Sequence, residues 1–368
     1  MDSEKAEMQR FFAVIPAGGI GSRLWPMSRA NAPKFLHDLT GNGQTLLQDT
    51  WDRLQPLANG RTMVVTGDVH ARAVADQLPE LDFANVILEP SPRDSTAAIA
   101  LAAAVLAHRE PNVIIGSFAA DHVISDAQAF HKTVEEAVKV AATGKIVTIG
   151  LKPTEASVAF GYIKKGKRLA TDTACEVLEF VEKPDIATAR RYVASDDYLW
   201  NAGMFIAPAA KLLDILAKTQ PTLHSGVVEL AKVWDTEKRD QAMAEIWPTL
   251  TKIAIDYSVA EPAARDGEVA VVPGDFEWHD VGDFAAIAEL QSQGRKGHLA
   301  VLGSARVLSD SSSGILVSDT GRLVALIGLE DVIVVDTADA LLVTSKEHAQ
   351  KVKTLVDSLR ESGHSELL

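Results

Sequence analysis

Residues that could bind phosphate cluster directly behind the first apolar segment of the chain. Residues 13–36 read AVIPAGGIGSRLWPMSRANAPKFL, and Arg23, Arg29 and Lys34 fall within twelve residues after the glycines. Glycines that follow a strand allow close backbone approach, and successive N–H groups there can form an anion-binding nest. Arginine can bind phosphate through two hydrogen bonds, and lysine adds a point charge. The segment predicts a triphosphate site, although a structural turn with incidental surface cations would use the same residue types.

Two widespread phosphate-binding motifs do not fit this segment. The dinucleotide pattern GxGxxG requires a third glycine at the position that Leu24 occupies, which disfavours an NAD-dependent oxidoreductase. The Walker A pattern requires Gly-Lys-Ser/Thr, which does not follow the loop. What remains is GGxGxRxxP followed by APK.

The composition describes a globular protein with an acidic surface. The 368 residues are 47% hydrophobic and 23% charged, and the formal net charge is −14. Such a balance argues against a general nucleic-acid binder, which needs a broad basic face. The longest apolar run, residues 96–107, is too short and alanine-rich to span a membrane. Cys175 is the only cysteine, so no intrachain disulfide can form, and we expect a cytoplasmic protein.

The first half of the chain alternates short apolar strands with amphipathic helices. This alternation predicts a doubly wound α/β fold with a mostly parallel, Rossmann-like sheet and a ligand crevice at the carboxyl ends of the strands. The predicted strands are 11–16, 62–66, 85–88, 112–118 and 145–150, and the predicted helices are 45–57, 68–78, 94–108 and 126–142.

The second half has a mixed pattern that changes again near residues 290–297. Before that point the sequence predicts strands at 176–184, 200–207 and 269–275 and helices at 185–194, 208–218 and 222–247. After it, short β segments alternate with Gly, Asp and Ser until helical residues resume at 346–360. We therefore expect a catalytic domain over 1–292 and a small β-rich domain over 293–368 that ends in a helix.

Taken together, the motifs resemble those of the sugar-nucleotide pyrophosphorylases, a nucleotidyltransferase family, and within it the mannose-1-phosphate guanylyltransferases. The glycine-rich segment is followed, in the family's order, by further matching blocks up to about residue 345. These blocks are ILEPSPRDSTAAIALAA (87–103), ADHVI (120–124), FGYIKKG (160–166), FVEKPD (180–185), WNAGMF (200–205), IDYSVAEPA (255–263), WHDVGDF (278–284) and GLEDVIVVDTADALLV (328–343).

The resemblance implies a reaction in which GTP and mannose 1-phosphate give GDP-mannose and diphosphate, with Mg²⁺ as cofactor. It also implies that the C-terminal region resembles a short left-handed β-helix, which is usually an oligomer contact, so we expect a homodimer. We expect neither nucleic-acid nor membrane partners. Many bacterial relatives carry a fused isomerase domain; we expect none here.

The resemblance also implies the site residues. Asp121 and Asp280 are the expected metal ligands and, with Arg23 and Lys34, the catalytic residues; an aspartate in such a place also commonly caps a turn or helix. The expected nucleotide-binding residues are Ala17, Gly18, Gly19, Gly21, Ser22, Arg23, Glu89, Pro90 and Asp94. The expected sugar-phosphate residues are Gly161, Glu182, Lys183 and Asn201. By type alone, Lys183 could be a solvated lysine and Asn201 a turn residue.

Two positions depart from the family's pattern, and two alternative functions stay open. Asp94 stands where Asn is usual, which exchanges an amide for a carboxylate that only accepts hydrogen bonds. Ile20 stands where the glycine loop more often has Ser. One alternative is a pyrophosphorylase for dTTP or UTP with a glucose phosphate. The other is a non-catalytic sugar-nucleotide sensor, which would not need Arg23, Lys34 and both aspartates.

Overall fold

A nine-stranded mixed sheet is the centre of the computed structural model, which describes residues 2–292, 295 and 297–368. The strands are β1 (Phe11–Ala17), β2 (Thr62–Gly67), β3 (Val86–Glu89), β4 (Ile114–Ser117), β5 (Val123–Ile124), β6 (Ile146–Leu151), β7 (Tyr162–Arg168), β8 (Cys175–Val181), β9 (Tyr198–Pro208), β10 (Val269–Gly274), β11 (Trp278–His279), β12 (Leu299–Gly303), β13 (Arg306–Asp310), β14 (Gly314–Ser318), β15 (Leu323–Ile327), β16 (Val332–Asp336) and β17 (Leu341–Ser345).

The helices cover both faces of this sheet and the C-terminal end. They are α1 (Asp2–Gln9), α2 (Leu46–Ala58), α3 (Ala71–Gln77), α4 (Asp94–Arg109), α5 (Ala127–Ala141), α6 (Ile186–Ser195), α7 (Ala209–Thr219), α8 (Pro221–Val233), α9 (Arg239–Ile246), α10 (Glu261–Arg265), α11 (Phe284–Ser292) and α12 (Val352–Glu361). A short π-helix, Asp256–Ala260, precedes α10. Among the described residues, no helix combines the length and apolar character needed to cross a bilayer.

The sheet has the order β3-β2-β1-β4-β9-β6-β10-β8-β7. Its first four strands are parallel, so the carboxyl ends of β1, β3 and β4 meet at one edge. Beyond them β9 runs antiparallel to β4, β6 and β7, and β6 is parallel to β10. The predicted α/β fold is confirmed, and β9 joins the parallel half to the antiparallel strands of the second half.

The central strands are buried on both faces, which explains their nearly continuous apolar sequences. Along β1, Phe12 and Val14 pack with α4, α7 and α8, whereas Phe11, Ala13 and Ile15 pack with α2 and α5. The alanine-rich helix α4 is buried throughout residues 96–106 because it lies between the sheet and α7 and α8. Small side chains permit that close approach.

Two predictions for the second half differ from the structure. The helix predicted over 222–247 is wrong as a single element, because α8 ends at Val233 and α9 begins only at Arg239. The sequence pattern does not predict strand β7, since its residues KKGKR are polar. This strand pairs with both β8 and β9, but its last five residues are half-buried or exposed and do not need to be apolar.

The C-terminal region is a coil of short parallel strands. Strands β12, β14 and β16 form one parallel sheet, which β17 extends in the antiparallel direction, and β13 pairs in parallel with β15. The predicted boundary between residues 292 and 293 falls at Gln293, which lies outside the described residues, so the two-domain division stays a prediction.

This coil packs on the segment that follows the glycines. Leu24, Trp25 and Phe284 share one apolar cluster with Ile315 and Ile333 of the coil. The Trp25 indole N–H donates to the Leu367 carbonyl at 2.7 Å, so the C-terminal residues also hold this segment by a hydrogen bond. The phosphate-binding candidate therefore lies between the large sheet and the coil.

Candidate functional site

The glycine loop, residues 18–21, leaves the carboxyl end of β1 and packs against the segment that carries Lys34. Gly21 has a φ of 74°, a left-handed conformation that favours glycine. A Cβ on Gly21 would lie 2.6 Å from the Cβ of Lys34, and the Lys34 N–H donates to the Ile20 carbonyl at 3.2 Å. No described atom lies within 4 Å of a Cβ placed on Gly19. The loop is therefore fixed on its Lys34 side and open at Gly19.

A cavity of about 320 Å³ opens beside this loop, at the carboxyl ends of β1 and β3. Its wall combines apolar side chains with a few polar groups, as small-ligand sites commonly do. The lining residues are Pro16, Ala17, Gly18, Gly19, Phe35, Val65, Glu89, Pro92, Arg93, Asp94, Ser95, Ala98, Ala119, Ala120, Asp121 and Lys252.

Glu89 presents a buried carboxylate to this cavity. The residue is 8% exposed, and its Oε1 has no hydrogen-bond partner among the described residues. Burial raises the pKa of Glu89 to about 7. A buried acceptor without a partner is costly unless a ligand supplies donors, so Glu89 is suited to a ligand that carries N–H groups.

Asp94 lines the same cavity from the first turn of α4. Its φ is 65°, a region that Asn and Asp enter more readily than other non-glycine residues. The exchange of Asn for Asp at this position therefore preserves the local backbone conformation. The neighbouring Ser95 accepts a hydrogen bond from the Ile255 N–H at 2.9 Å, and Thr96 is hydrogen-bonded to Ser258 at 2.8 Å.

The pairing of β5 with β11 brings Asp121 and Asp280 to the same place. His279 pairs with Val123 in the antiparallel register, so Asp280 and Asp121 lie at the same end of this two-stranded ladder. We call these two residues the aspartate pair. His122 Nε2 lies 4.0 Å from Asp280 Oδ1, which shows how closely the two loops approach.

Lys34 joins the two members of the aspartate pair. Its ammonium lies 2.9 Å from Asp121 Oδ2 and donates to the Asp280 carbonyl oxygen at 2.6 Å. Burial opposes the ionisation of Asp121, but the charges of Lys34 and His122 and the hydrogen bonds to the carboxylate together outweigh burial and lower the pKa of Asp121 below its usual value. Lys34 is 5% exposed, so this cation is largely screened from solvent.

The aspartate pair suits a divalent cation that also binds phosphate. Within the described part of the chain no group of three or more His, Cys, Asp or Glu side chains could hold a metal ion. Mg²⁺ is commonly held by one or two carboxylates with substrate phosphates and water completing the shell. The ammonium already seated between the Asp121 carboxylate and the Asp280 carbonyl shows that this place attracts a cation.

His122 packs beside the aspartate pair and supports it. Burial lowers the pKa of His122 despite the nearby carboxylates of Asp121 and Asp280, which favours the neutral ring. The ring packs edge to face on Trp278 at 5.3 Å between centroids. This packing is the structural role expected of a histidine that flanks a site without metal-ligand spacing.

A second group of charged residues lies at the ends of β7, β8 and β9. Glu182 Oε1 accepts from the Lys183 ammonium at 3.1 Å; the Glu182 side chain is 8% exposed and that of Lys183 is 58% exposed. Burial, reinforced by the charge of Asp256, raises the pKa of Glu182. A Cβ on Gly161 would collide with Glu182 Oε2, so a larger residue would displace this carboxylate from its present position.

Asn201 on β9 is held by three hydrogen bonds. Its Oδ1 accepts from Thr148 Oγ1 at 2.9 Å and from the Gly203 N–H at 3.1 Å, and its Nδ2 donates to Asp256 Oδ1 at 2.9 Å. The amide therefore has one orientation and one remaining N–H. Burial raises the pKa of Asp256. A Cβ on Gly203 would lie 3.9 Å from Cε1 of the His122 ring, so β9 passes close to the residues beside the aspartate pair.

Most of the predicted residues fall into two groups, and Lys34 and Asp280 lie beside Asp121 of the first group. Ala17, Gly18, Gly19, Glu89, Asp94 and Asp121 line one cavity, whereas Gly21, Ser22, Arg23 and Pro90 are not among its lining residues. Arg23 is exposed and has no hydrogen bond or ion pair with any described residue. Gly161, Glu182, Lys183 and Asn201 form the second group, next to Asp256.

Arg29, one of the cations of the opening segment, contacts the C-terminal coil. The expectation that Arg29 provides counter-charge for phosphate is wrong, because its guanidinium pairs with Asp339 at 2.8 Å and packs over the Trp25 ring. It ties the segment to the C-terminal coil.

Two site residues were missed by sequence reasoning. Lys252 lines the cavity and Asp256 fixes Asn201, and the only sequence signal for Asp256 was its place in the block at 255–263.

Known families match both parts of the chain. The Nucleotidyl transferase model matches residues 12–297, and the model described as MannoseP isomerase/GMP-like beta-helix domain matches residues 305–359. The chain belongs to the nucleotidyl transferase family. It is a nucleotidyltransferase, and members of this kind generally use a divalent metal ion with nucleotide and sugar-phosphate substrates.

Relatives of this nucleotidyltransferase match it over nearly its whole length. The xanthan biosynthesis protein XanB of Xanthomonas campestris pv. campestris (strain B100) is 37% identical over 365 residues, 98% of this chain and 75% of XanB. A mannose-1-phosphate guanylyltransferase of Salmonella muenchen is 36% identical over 369 residues, again 98% and 75%. A crystal structure from Thermus thermophilus, named a mannose-1-phosphate geranyltransferase, matches with a TM-score of 0.84 at 32% identity and covers 95% of this chain and 99% of that one.

The resemblance implies that Lys183 binds the phosphate of the sugar phosphate. We therefore predict that Lys183→Ala raises the KM for the sugar phosphate by about tenfold or more, because the variant loses this charge-assisted contact. The KM for the nucleotide should change little, since Lys183 does not line the cavity at the glycine loop. Steady-state kinetics with each substrate varied in turn provide the measurement. Lys152→Ala, which removes an exposed lysine paired with Asp196 at 3.5 Å, is the control. Unchanged kinetics in Lys183→Ala would contradict the assignment.

Proposed function

We propose that this nucleotidyltransferase is a mannose-1-phosphate guanylyltransferase that converts GTP and mannose 1-phosphate into GDP-mannose and diphosphate with Mg²⁺. The observation that carries the proposal is the place of Asp121, which lines the cavity beside the glycine loop and also pairs with Lys34 next to Asp280. A nucleotide in the cavity would therefore have its phosphates beside the aspartate pair. The relatives with this name in Salmonella and Escherichia support the choice of sugar and base.

The nucleotide half of the site supplies positive charge and backbone donors. The N–H groups of the glycine loop would donate to the phosphate oxygens, and Gly19 leaves open space for their approach. Arg23 is exposed beside the loop without a protein partner in the described chain, so its guanidinium is available for phosphate. Asp121 and Asp280 would hold Mg²⁺, which when bound would neutralise phosphate charge and polarise the α-phosphate.

In the sugar-phosphate half of the site, the lysine ammonium is exposed and the carboxylates are buried. Lys183 has an exposed ammonium that would bind the incoming phosphate, whereas Glu182, Asn201 and the Gly161 backbone would contact the sugar hydroxyls. Asp256 would act through Asn201, because it accepts from one amide N–H and leaves the other for the sugar. Buried carboxylates with raised pKa values are good partners for hydroxyl donors and poor neighbours for phosphate. This charge pattern orients the substrate.

The reaction then needs orientation more than covalent help from the protein. A phosphate oxygen of mannose 1-phosphate attacks the α-phosphorus of GTP in line, the new P–O bond forms, and the bond to the β-phosphate oxygen breaks to release diphosphate. Both substrates are anions, so the cations Arg23, Lys34 and Lys183 offset their repulsion. Holding the two phosphates at reacting distance supplies much of the remaining acceleration.

Glu89 is the residue we assign to recognition of guanine. Its buried carboxylate faces the cavity with one oxygen unpartnered, and guanine offers two adjacent donors, N1–H and the exocyclic amine. Adenine presents no such pair on that edge, and uracil and thymine present a single N–H. A carboxylate that accepts both guanine donors would favour GTP over the other nucleotides.

The C-terminal coil carries the surface that we propose as a homodimer contact. Leu308, Leu323 and Ile327 are exposed, and Ile327 is 74% exposed. In the β13–β15 register, Arg306 is opposite Leu323 and Asp310 is opposite Ile327, so these charges lie at the two ends of one apolar face. A two-fold axis through that face would place each Arg306 near the Asp310 of the second copy. We also infer a cytoplasmic location, where GTP and sugar phosphates are found.

A substrate panel tests the proposed reaction. The protein is incubated with Mg²⁺ and either mannose 1-phosphate or glucose 1-phosphate in the presence of GTP, ATP, UTP or dTTP, and diphosphate release is measured. We expect GTP to be the preferred nucleotide. A preference for UTP or dTTP with glucose 1-phosphate would indicate a different pyrophosphorylase, and no diphosphate from any pair would indicate a sensor.

We expect Asp121→Ala and Asp280→Ala each to lower kcat by about two orders of magnitude or more, because each loses a carboxylate that holds the metal at the transition state. Circular dichroism would show that the variants are folded. The matched control is Asp214→Ala, which removes an exposed carboxylate on α7. Near-normal turnover in both site variants would contradict the metal assignment.

The pH dependence of GTP use follows from Glu89. The ionised carboxylate accepts both guanine donors, so binding favours its deprotonated form and the KM for GTP should fall as pH rises through about 7. Below that pKa the expected change is about tenfold per pH unit. Glu89→Gln should flatten this profile and shrink the preference for GTP over ITP, which lacks the exocyclic amine. The exposed Glu155→Gln is the control, and an unchanged GTP/ITP ratio in Glu89→Gln would count against the role.

Light scattering tests the dimer. At micromolar concentration the protein should have the mass of two chains, and Ile327→Glu should shift it towards one chain because a charge in an apolar contact is costly. Val69→Glu, at an exposed valine outside the coil, should leave the mass unchanged. A wild-type protein that is monomeric would contradict the assignment.

A further inference from the structure

The Lys34 ammonium lies between the two members of the aspartate pair. Its ammonium contacts the Asp121 carboxylate at 2.9 Å and the Asp280 carbonyl oxygen at 2.6 Å. Carboxylate and carbonyl oxygens are the ligand types that Mg²⁺ and Ca²⁺ use in proteins. The side chain of Lys34 is 6% exposed, so this contact is a buried one and not a surface ion pair.

The Lys34 backbone is fixed, whereas its ammonium could contact either the aspartate pair or phosphates bound at the glycine loop. The Lys34 N–H donates to Ile20, and Gly21 packs directly on the Cβ of Lys34, so the start of the side chain lies against the glycine loop. The rest of the stem is flexible and carries a compact charge at its end. Phosphates bound at the glycine loop would therefore be a second partner within the range of the same side chain.

The charges around the aspartate pair decide when the Lys34 ammonium moves away from it. With Lys34 in place, the two carboxylates of the aspartate pair lie beside one positive charge. Two further charged groups lie near the aspartate pair. The Arg53 guanidinium donates to the His122 carbonyl at 3.1 Å, and Asp49 lies beside Arg53. A divalent cation that arrives alone would meet the lysine charge at its own position, which is unfavourable.

We propose that Lys34 fills the metal position in the free protein and leaves it for the nucleotide's phosphates, so that metal alone binds weakly and metal and nucleotide bind cooperatively. This inference rests on the proposed function, because it takes the aspartate pair as the metal site. The coupling is reciprocal: whatever the nucleotide adds to metal affinity, the metal adds to nucleotide affinity.

Manganese binding to the nucleotide-free protein tests this proposal without any turnover. Free Mn²⁺ is measured by electron paramagnetic resonance during titration of the wild type, Lys34→Met and Lys34→Arg. If the ammonium closes the position about nine-tenths of the time, Lys34→Met should bind Mn²⁺ about tenfold more tightly than the wild type. Lys34→Arg keeps the charge and should bind Mn²⁺ as weakly as the wild type. Lys34→Gln repeats the measurement if Lys34→Met does not fold.

Two controls locate the gain in affinity. Lys211→Met removes a lysine that pairs with Glu268 at 2.6 Å away from the cavity, and it should leave Mn²⁺ binding unchanged. The double variant Lys34→Met/Asp121→Asn should lose the gained affinity, since it removes a ligand. Equal Mn²⁺ affinity in wild type and Lys34→Met, or an equal gain in Lys34→Arg, would overturn the proposal. A failure of the substrate panel would leave this titration unaffected, so the two proposals can fail separately.

Discussion

The central constraint on this molecule is the need to gather anions inside an acidic protein. In the proposed reaction, two aspartates and the phosphates of two substrates meet in a chain whose formal net charge is −14. The ion pair between Lys34 and Asp121 shows how the protein meets this need before substrates arrive, because it supplies a buried cation at the point where the loops converge. Everything else at the site is arranged around that point. The glycine loop faces it from β1, and the β5–β11 ladder brings Asp280 to it.

The C-terminal coil contributes to the site although none of its residues lines the cavity beside the glycine loop. It holds the segment after the glycine loop through Arg29 and Asp339 and through the hydrogen bond from Trp25 to Leu367. It also holds the loop after Asp280, because Val281 and Phe284 are buried in the same apolar cluster as the coil. Both members of the aspartate pair therefore adjoin segments that pack on the coil, and through this packing the coil would support the proposed metal site without a direct contact.

Much of the fold could be predicted because its signals are local. The strand at 11–16 and the helices at 45–57 and 94–108 differ from β1, α2 and α4 by a residue or two at their ends, since apolar periodicity and glycine turns mark them directly. The direction of β9 could not be predicted, because strand direction depends on pairing partners distant in the sequence. The break between α8 and α9 was missed for a related reason: the helical pattern continues through residues 234–238, which turn to bring α9 back onto α8.

The candidate site also contains some residues that the sequence could predict and others that it could not. The glycine loop and Asp121 follow strands that the sequence marks clearly, so their approach could be expected from topology, whereas Asp280 follows the short strand β11, which was not predicted, and was expected only from the resemblance. Arg29 has the same residue type and a similar position to Arg23, yet it pairs with Asp339, more than three hundred residues further on, which no local pattern reveals. Asp256 was equally hidden, because its role lies in fixing the Asn201 amide and not in any motif chemistry of its own.

Two of the buried carboxylate oxygens that have no hydrogen-bond partner among the described residues, Glu89 Oε1 and Glu182 Oε2, lie at the proposed positions of the two substrates. Each oxygen is an acceptor that folding removes from water without supplying a hydrogen bond. The ligand-free protein is therefore less stable than it would be with apolar side chains at these positions. Ligands that donate to these oxygens would return that stability. The resistance of the protein to heat should therefore report the filling of each pocket by its own substrate, one pocket at a time.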